Sequence, residues 1–450
     1  MIKEKKETKK KDINEKIYAF NRGKLFGTWQ IKMLLVSWAT YASFYLLRVN
    51  YSVAIPEIIN EYGFTKTELG IVATSLLLAY AVGQFINGQL GDKFKARRII
   101  AFGLIISAIL NIFFGFSGMF FTGVTFIWIM ATIWAFNGYF QSMGWAPTVK
   151  TIANWFTKKE RGKISGFLGT SYILGSAICS VFVAWVLSVT GDWKWIFYAP
   201  AFVCIFVAIH WYLRARNAPE EVGLPTIEEL ATSEIDCEVK RDDHHIGFKE
   251  CIRIVVKSKY IWYAAFALFT LNIVRYGFMT WGVQIFAEQS GDTVLSAYKY
   301  VAFPVAGTFG AVFAGWFSDR YLNSRRAPIA SVMLFMLAIF CVLFSITQDA
   351  HWAIGLVILL FIGFFTFGPH VLIVGAIPMD FGSRKAASSA TGFIDGFGYI
   401  GAAITGVGSG FLADNYGWGS AFIFWMIGAL LAAIFMLIMW NALPKTKKYH

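Results

Sequence analysis

Charged residues are scarce. Asp, Glu, Lys and Arg make up 15% of the 450 residues, where a soluble domain carries roughly 25%. The deficit excludes an ordinary soluble fold, because a water-facing surface cannot be covered with so few charges. Acidic residues are the scarcer sign, 27 against 40 basic, and the formal net charge is +13. The basic residues fall in short segments between apolar runs and form no single stripe. The excess therefore points to membrane topology and contact with anionic lipid, not to a nucleic-acid partner. Five cysteines (Cys179, Cys204, Cys237, Cys251 and Cys341) show no close pair spacing, so no zinc or disulfide framework follows. Nucleophile–base pairings, metal-ligand sets and nucleotide fingerprints are also lacking, so neither an enzyme nor a cofactor is expected. His244 and His245 are adjacent but have no partnering ligands, and they read as part of a solvated linker. The Lys-rich stretch Met1 to Lys32 is too long and polar for a cleavable signal peptide.

What is present is apolar length. The chain is 57% hydrophobic, and windows near 20 residues long, the number needed to cross about 30 Å of hydrocarbon, are almost free of charge. Twelve spans are expected, at 31–54, 67–91, 98–118, 122–146, 163–188, 194–213, 258–287, 295–318, 327–347, 351–378, 385–413 and 418–441. The fold class is all-α integral membrane, with twelve transmembrane helices in two pseudo-symmetric six-helix halves. The expected organisation is an N-terminal tail (1–30), a first half (31–213), a polar linker (214–257), a second half (258–441) and a C-terminal tail (442–450). Lys and Arg concentrate in alternate loops, for example Lys93, Lys95, Arg97 and Arg98, then Lys158, Lys159, Arg161 and Lys163. By the positive-inside rule those loops and both termini are cytoplasmic. A monomer in a bacterial inner (plasma) membrane is expected.

One motif occurs twice, as Gly88-Gln89-Leu90-Gly91-Asp92-Lys93 and Gly315-Trp316-Phe317-Ser318-Asp319-Arg320, 227 residues apart and each followed by a basic cluster. A duplicated tight loop of this kind suits an element that repacks between two conformations, with Asp92, Arg97, Asp319 and Arg325 as its charged members. The same offset connects Arg48 in the first span with Arg275 in the seventh. An arginine inside a span costs at least about 2.5–3.5 kcal/mol on insertion scales, and two at symmetric positions indicate a shared ligand. Two planar, permanently charged guanidiniums suit a tetrahedral dianion, to which each can donate two parallel bonds. A di- or tricarboxylate satisfies the same argument. Repeat-built transporters bind substrate near the midplane between their halves.

Other groups are candidates for the same site. Tyr41, Tyr45 and Arg48 recur at i, i+4 and i+7, on one helical face. Asp395 and Tyr399 form an i, i+4 pair in the Gly-rich eleventh span, where a buried acid is paired, protonated or functional. His370, after Gly368-Pro369, reads either as a proton carrier or as a structural hydrogen-bonding group.

Several stretches carry a family resemblance: Tyr45-Leu46-Leu47-Arg48-Val49-Asn50, Phe140 to Pro147 (FQSMGWAP), Ala218 to Pro225 (APEEVGLP), Val274-Arg275-Tyr276-Gly277 and Phe367-Gly368-Pro369. Over nearly its whole length the sequence resembles the major facilitator superfamily, and within it the organophosphate:phosphate antiporters that include glycerol-3-phosphate and hexose-6-phosphate transporters. The resemblance implies exchange of inorganic phosphate for an organic phosphate, with Arg48 and Arg275 binding the phosphoryl group. The chain departs from the glycerol-3-phosphate transporters at Val49, Gln84, Tyr172, Thr280 and Pro304, where those carry Lys, Lys, His, Asp and Glu. Cations and acids are lost together, which implies a rebuilt polar network with Asp395 as a possible member. Two other functions fit the residues: a sugar-phosphate sensor of the same fold, and a proton-coupled transporter of another organic anion.

Overall fold

An apolar run in a bilayer must satisfy its backbone hydrogen bonds within itself, so each span folds as a helix. The computed structural model describes residues 25–157, 160–226, 256–323, 325–347, 351–378 and 387–442. His244, His245 and most of both tails lie outside the described residues. Among the described residues, eleven helices are long and apolar enough to cross a membrane. The second to sixth spans are Lys66–Lys93, Ala96–Ser117, Gly123–Trp155, Arg161–Thr190 and Trp195–Arg214. The seventh to twelfth are Lys259–Ser290, Thr293–Tyr321, Arg326–Ile346, Trp352–Ala376, Ala387–Tyr416 and Trp418–Ile438.

The first span supplies the twelfth crossing, and it differs from the continuous 31–54 expected. It is helical at 25–46, turns at 47–49, and resumes as Asn50–Tyr62. Around the break the hydrogen bonds tighten to i→i+3, with Leu47 N–H donating to Phe44 O and Arg48 N–H to Tyr45 O, both at 3.2 Å. Carbonyls released by the break need other donors, since an orphan in the interior costs roughly 1–3 kcal/mol. The third and fourth spans supply them. Asn137 Nδ2 donates to Leu47 O at 2.9 Å, Asn111 Nδ2 to the same oxygen at 3.3 Å, and Gln141 Nε2 to Phe44 O at 3.0 Å. Replacing Asn137 by leucine is expected to cost roughly 1–2 kcal/mol and to lower the melting midpoint in detergent by a few degrees. An unchanged midpoint would mean that the break is held some other way.

The internal repeat is visible in the packing. The first and seventh spans each end on a glycine in the left-handed region, Gly63 (φ 68°) and Gly291 (φ 66°), a conformation that side chains with a Cβ resist. Just before those ends, Glu61 accepts a bond from the Trp193 indole at 2.5 Å, and Glu288 accepts one from Trp418 at 2.7 Å. Glu61 and Glu288 are again 227 residues apart.

The halves meet most extensively along the second and eleventh spans. On the face opposite the basic loops this contact is closed. The Asp414 carboxylate accepts from the Lys66 and Thr67 N–H groups at 3.1 and 2.7 Å, and Lys66 Nζ pairs with Glu288 at 3.1 Å. Further in, Thr74 Oγ1 donates to Ala403 O at 2.7 Å and accepts from Val407 N–H at 3.0 Å. Gly70 and Gly410 have the opposing backbone so close that a Cβ at either would collide with it, and a Cβ at Gly406 would collide with Thr74 Oγ1. Towards the basic face, a Cβ at Gly166, Gly315 or Gly392 would meet no described atom within 4 Å.

Candidate functional site

Arg48 emerges from the 47–49 turn of the first span. Arg275 lies mid-way along the seventh, about 24 Å from Lys259 and about 22 Å from Ser290 at 1.5 Å per residue. Both are buried, 7% and 4% exposed. The Arg48 guanidinium lies over Tyr80 (4.3 Å) and Tyr45 (5.0 Å), and its Nη2 donates to Gln141 Oε1 at 3.2 Å. Gln141 therefore serves twice, holding the broken helix through Phe44 O and orienting the arginine that the break exposes. The Arg275 guanidinium lies over Tyr276 (4.9 Å), Phe367 (5.2 Å) and Tyr172 (5.7 Å). Its Nη1 is 3.1 Å from His370 Nε2. Arginine can only donate, so Nε2 is the acceptor and the imidazole proton sits on Nδ1. His370 closes the last α-helical turn of the tenth span, beside Pro369 and just before a π-helical stretch, Leu372–Ala376. Such widened turns recur at functional sites.

The rings join the two arginines into one girdle across the halves. On one side Tyr80 contacts Tyr399 (4.5 Å between centroids), and Tyr399 contacts Tyr276 (5.9 Å). On the other, Tyr45 contacts Tyr172 (6.3 Å), which also faces His370 (5.9 Å). Tyr41 stands behind Tyr45 at 6.1 Å, tilted against Trp145 at 4.7 Å, and belongs to the supporting wall.

The girdle leaves donors unused. Arg48 Nε and Nη1, Arg275 Nε, His370 Nδ1 and the Tyr80 and Tyr276 hydroxyls are buried without a hydrogen-bond partner. Desolvating an ion costs several kcal/mol even after relaxation, and a desolvated cation–π contact returns about 2 kcal/mol. The rings therefore reduce the cost of the two charges without cancelling it. The remaining demand is for an anion that brings several acceptor oxygens. Asp395 lies one turn from Tyr399 towards the basic face, half-buried and within Coulombic reach of Arg275 and Arg48. Among the described residues it has no ion-pair or hydrogen-bond partner.

The duplicated loop is described only in part. The Asp92 side chain lies outside the described residues. Arg97 donates through Nε to the Tyr212 carbonyl and lies over the Tyr212 ring at 4.6 Å. Asp319 pairs at 2.6 Å with Arg326, the neighbour of Arg325. Ser318 Oγ donates to the Arg325 carbonyl at 3.0 Å.

A model of the Major Facilitator Superfamily matches residues 35–406. The chain belongs to that superfamily. It is a multi-pass integral membrane transporter and not an enzyme. The transporter is 34% identical over 406 residues to a glycerol-3-phosphate transporter of Bacillus subtilis, covering 89% of this chain and 90% of that one. It is 31% identical to a probable hexose phosphate transport protein of Chlamydia trachomatis, covering 95% and 94%. A membrane sensor protein of Escherichia coli is 29% identical over 92% of this chain and 93% of its own. Among solved structures, a D-xylose–proton symporter superposes with a TM-score of 0.71 at 15% identity, covering 93% of this chain and 98% of that one. The likeness at that identity is one of fold.

Of the expected site residues, Arg48, Arg275, Tyr45 and Tyr399 come together, Tyr41 backs them, and Asp395 stands at the edge facing the basic side. Tyr80, Gln141, Tyr172 and His370 complete the girdle. Tyr172 had a signal in the sequence, because it stands 227 residues before Tyr399, the offset that relates the two arginines. Tyr80 and Gln141 had none, because their partners lie 32 and 93 residues away along the chain.

Proposed function

We propose that this transporter exchanges a phosphate ester for inorganic phosphate by alternating access, in a bacterial plasma membrane with both termini cytoplasmic. The observation that carries the reading is the pair of buried guanidiniums, one from each half, with unpartnered donors turned into an aromatic girdle. A phosphate dianion bridging them neutralises both charges and draws the halves together. An empty site keeps two cations uncompensated, so reorientation without ligand is disfavoured and exchange becomes obligatory. Phosphate-ester transport by the Bacillus and Chlamydia relatives supports the substrate class. The organic half of the substrate lies towards Asp395, whose carboxylate accepts hydrogen bonds from hydroxyls.

The test is uptake of radiolabelled phosphate into proteoliposomes that are either preloaded with phosphate or empty. Uptake confined to loaded vesicles is expected. Uptake that ignores internal phosphate and follows a proton gradient would replace exchange by proton coupling, with Asp395 the first residue to examine. Saturable binding without flux would make the protein a sensor, as the Escherichia coli relative is named.

A further inference from the structure

The central girdle is not the only concentration of positive charge. On the basic face, where the third span begins and the sixth ends, a cavity of about 320 Å³ is lined by Lys95, Arg97, Arg98 and Arg216, with Glu221 the one carboxylate. That volume lies at the lower end of the ligand-pocket range of roughly 300–1,000 Å³. Its floor is built by the short segment that follows the sixth span. Asn217 Oδ1 accepts from the Arg97 N–H at 3.0 Å, Asn154 Nδ2 donates to Asn217 O at 3.0 Å, and Trp155 Nε1 donates to Arg216 O at 3.0 Å. Glu221 accepts from the Asn217 N–H and side chain at 3.0 and 2.9 Å and pairs with Lys95 at 3.0 Å. Burial pushes the Glu221 carboxyl up, but the Asn217 and Lys95 bonds outweigh it and hold its pKa below the ordinary value.

One carboxylate does not balance four cations. Among the described residues, Arg97 and Arg216 donate only to backbone carbonyls, of Tyr212 and of Leu213 and Ala215. Among the described residues the Arg98 side chain has no partner. Like charges converge here because the folded segment holds them together, and a single carboxylate leaves them under-compensated. The rim adds a second observation. Tyr212 and Leu213, in the last turn of the sixth span, are 44% and 60% exposed, so the cavity opens at the level where an apolar helix leaves the bilayer.

We propose that this cavity binds a phosphate-bearing anion through Arg98, Arg216 and Lys95, and that the headgroup of an anionic phospholipid is its source. A bound headgroup competes with Glu221 for Lys95, and so acts on the segment that ties the start of the third span to the end of the sixth.

The experiment is thermal unfolding of delipidated protein in uncharged detergent, titrated separately with phosphatidylglycerol, phosphatidylcholine and inorganic phosphate. Wild type is compared with R98Q/R216Q and R98K/R216K. Phosphatidylglycerol is expected to raise the midpoint of wild type where phosphatidylcholine does not. Its apparent affinity is expected to fall roughly 20- to 30-fold in R98Q/R216Q, at roughly five-fold per cation. R98K/R216K keeps the charge and retains most of the effect, and it remains a readable variant if the glutamine pair fails to fold. The response to inorganic phosphate through the central girdle should be unaltered. If the glutamine pair instead loses a phosphate response while phosphatidylglycerol is inert in wild type, the anion site stands and its source is soluble. Wild-type titrations of both anions in R98Q/R216Q would overturn the proposal.

Discussion

Replacing Arg275 by glutamine should reduce phosphate exchange by at least about 100-fold, while the empty protein becomes more stable. The two effects share one cause. A guanidinium buried among rings, with Nε unpartnered, is a cost to the empty fold: even a buried ion pair is often replaced by apolar groups with a gain of about 1–4 kcal/mol, and a charge without its counter-ion is compensated less. The same guanidinium, once it meets a phosphate oxygen, makes charge-assisted bonds. Losing one partner of such a buried pair costs about 2–5 kcal/mol, and about 2.7 kcal/mol corresponds to the 100-fold expected. Arg275→Lys keeps the charge but loses the planar fork, and should restore no more than about a tenth of the wild-type rate. Arg48→Gln should behave alike. Because both arginines hold one ligand, R48Q/R275Q should lose much less than the product of the two single losses in phosphate affinity, the coupling expected of groups sharing a partner. Melting midpoints with and without phosphate, together with exchange rates, check all of this. A destabilised empty variant that still binds phosphate would sink the shared-clamp reading.

A second large effect is expected at Gly70, from sterics alone. A Cβ there would meet the Gly406 carbonyl group and lie 2.9 Å from Val407 Cα. These are backbone atoms, which cannot swing aside as a side chain can. Overpacking costs typically about 1–3 kcal/mol, and here it can be relieved only by separating the second span from the eleventh. Gly70→Leu should therefore open the seal that Asp414, Thr67 and Thr74 otherwise close, and hold the carrier open to the face opposite the basic loops. Exchange should fall at least about 50-fold, the population shift of about 2.3 kcal/mol, with phosphate affinity changed by only a few-fold, since Gly70 does not touch the girdle. A cysteine introduced at Thr74 should react several-fold faster with a membrane-impermeant maleimide when Gly70→Leu is also present. Unimpaired exchange would show that this face need not close during transport.

The sequence by itself determined the solvent and the scaffold. Scarce charge and apolar runs of bilayer length leave helices as the only way to satisfy the backbone, and the 227-residue offset of Arg48 and Arg275 follows from a duplicated half. It also supplied the pair Asp395 and Tyr399, since i, i+4 spacing is local geometry. Tertiary structure alone decided the rest. The first span breaks at 47–49 because Asn111, Asn137 and Gln141, some 60 to 100 residues away, are there to take the released carbonyls. Tyr80 and Gln141 join the site because helices distant along the chain converge on Arg48, and such convergence has no signature in a linear pattern. The sealed face, too, could not be read from the chain. The glycines that seal it and the glycines that face space elsewhere are the same residue type, and only the approach of a second helix makes them differ.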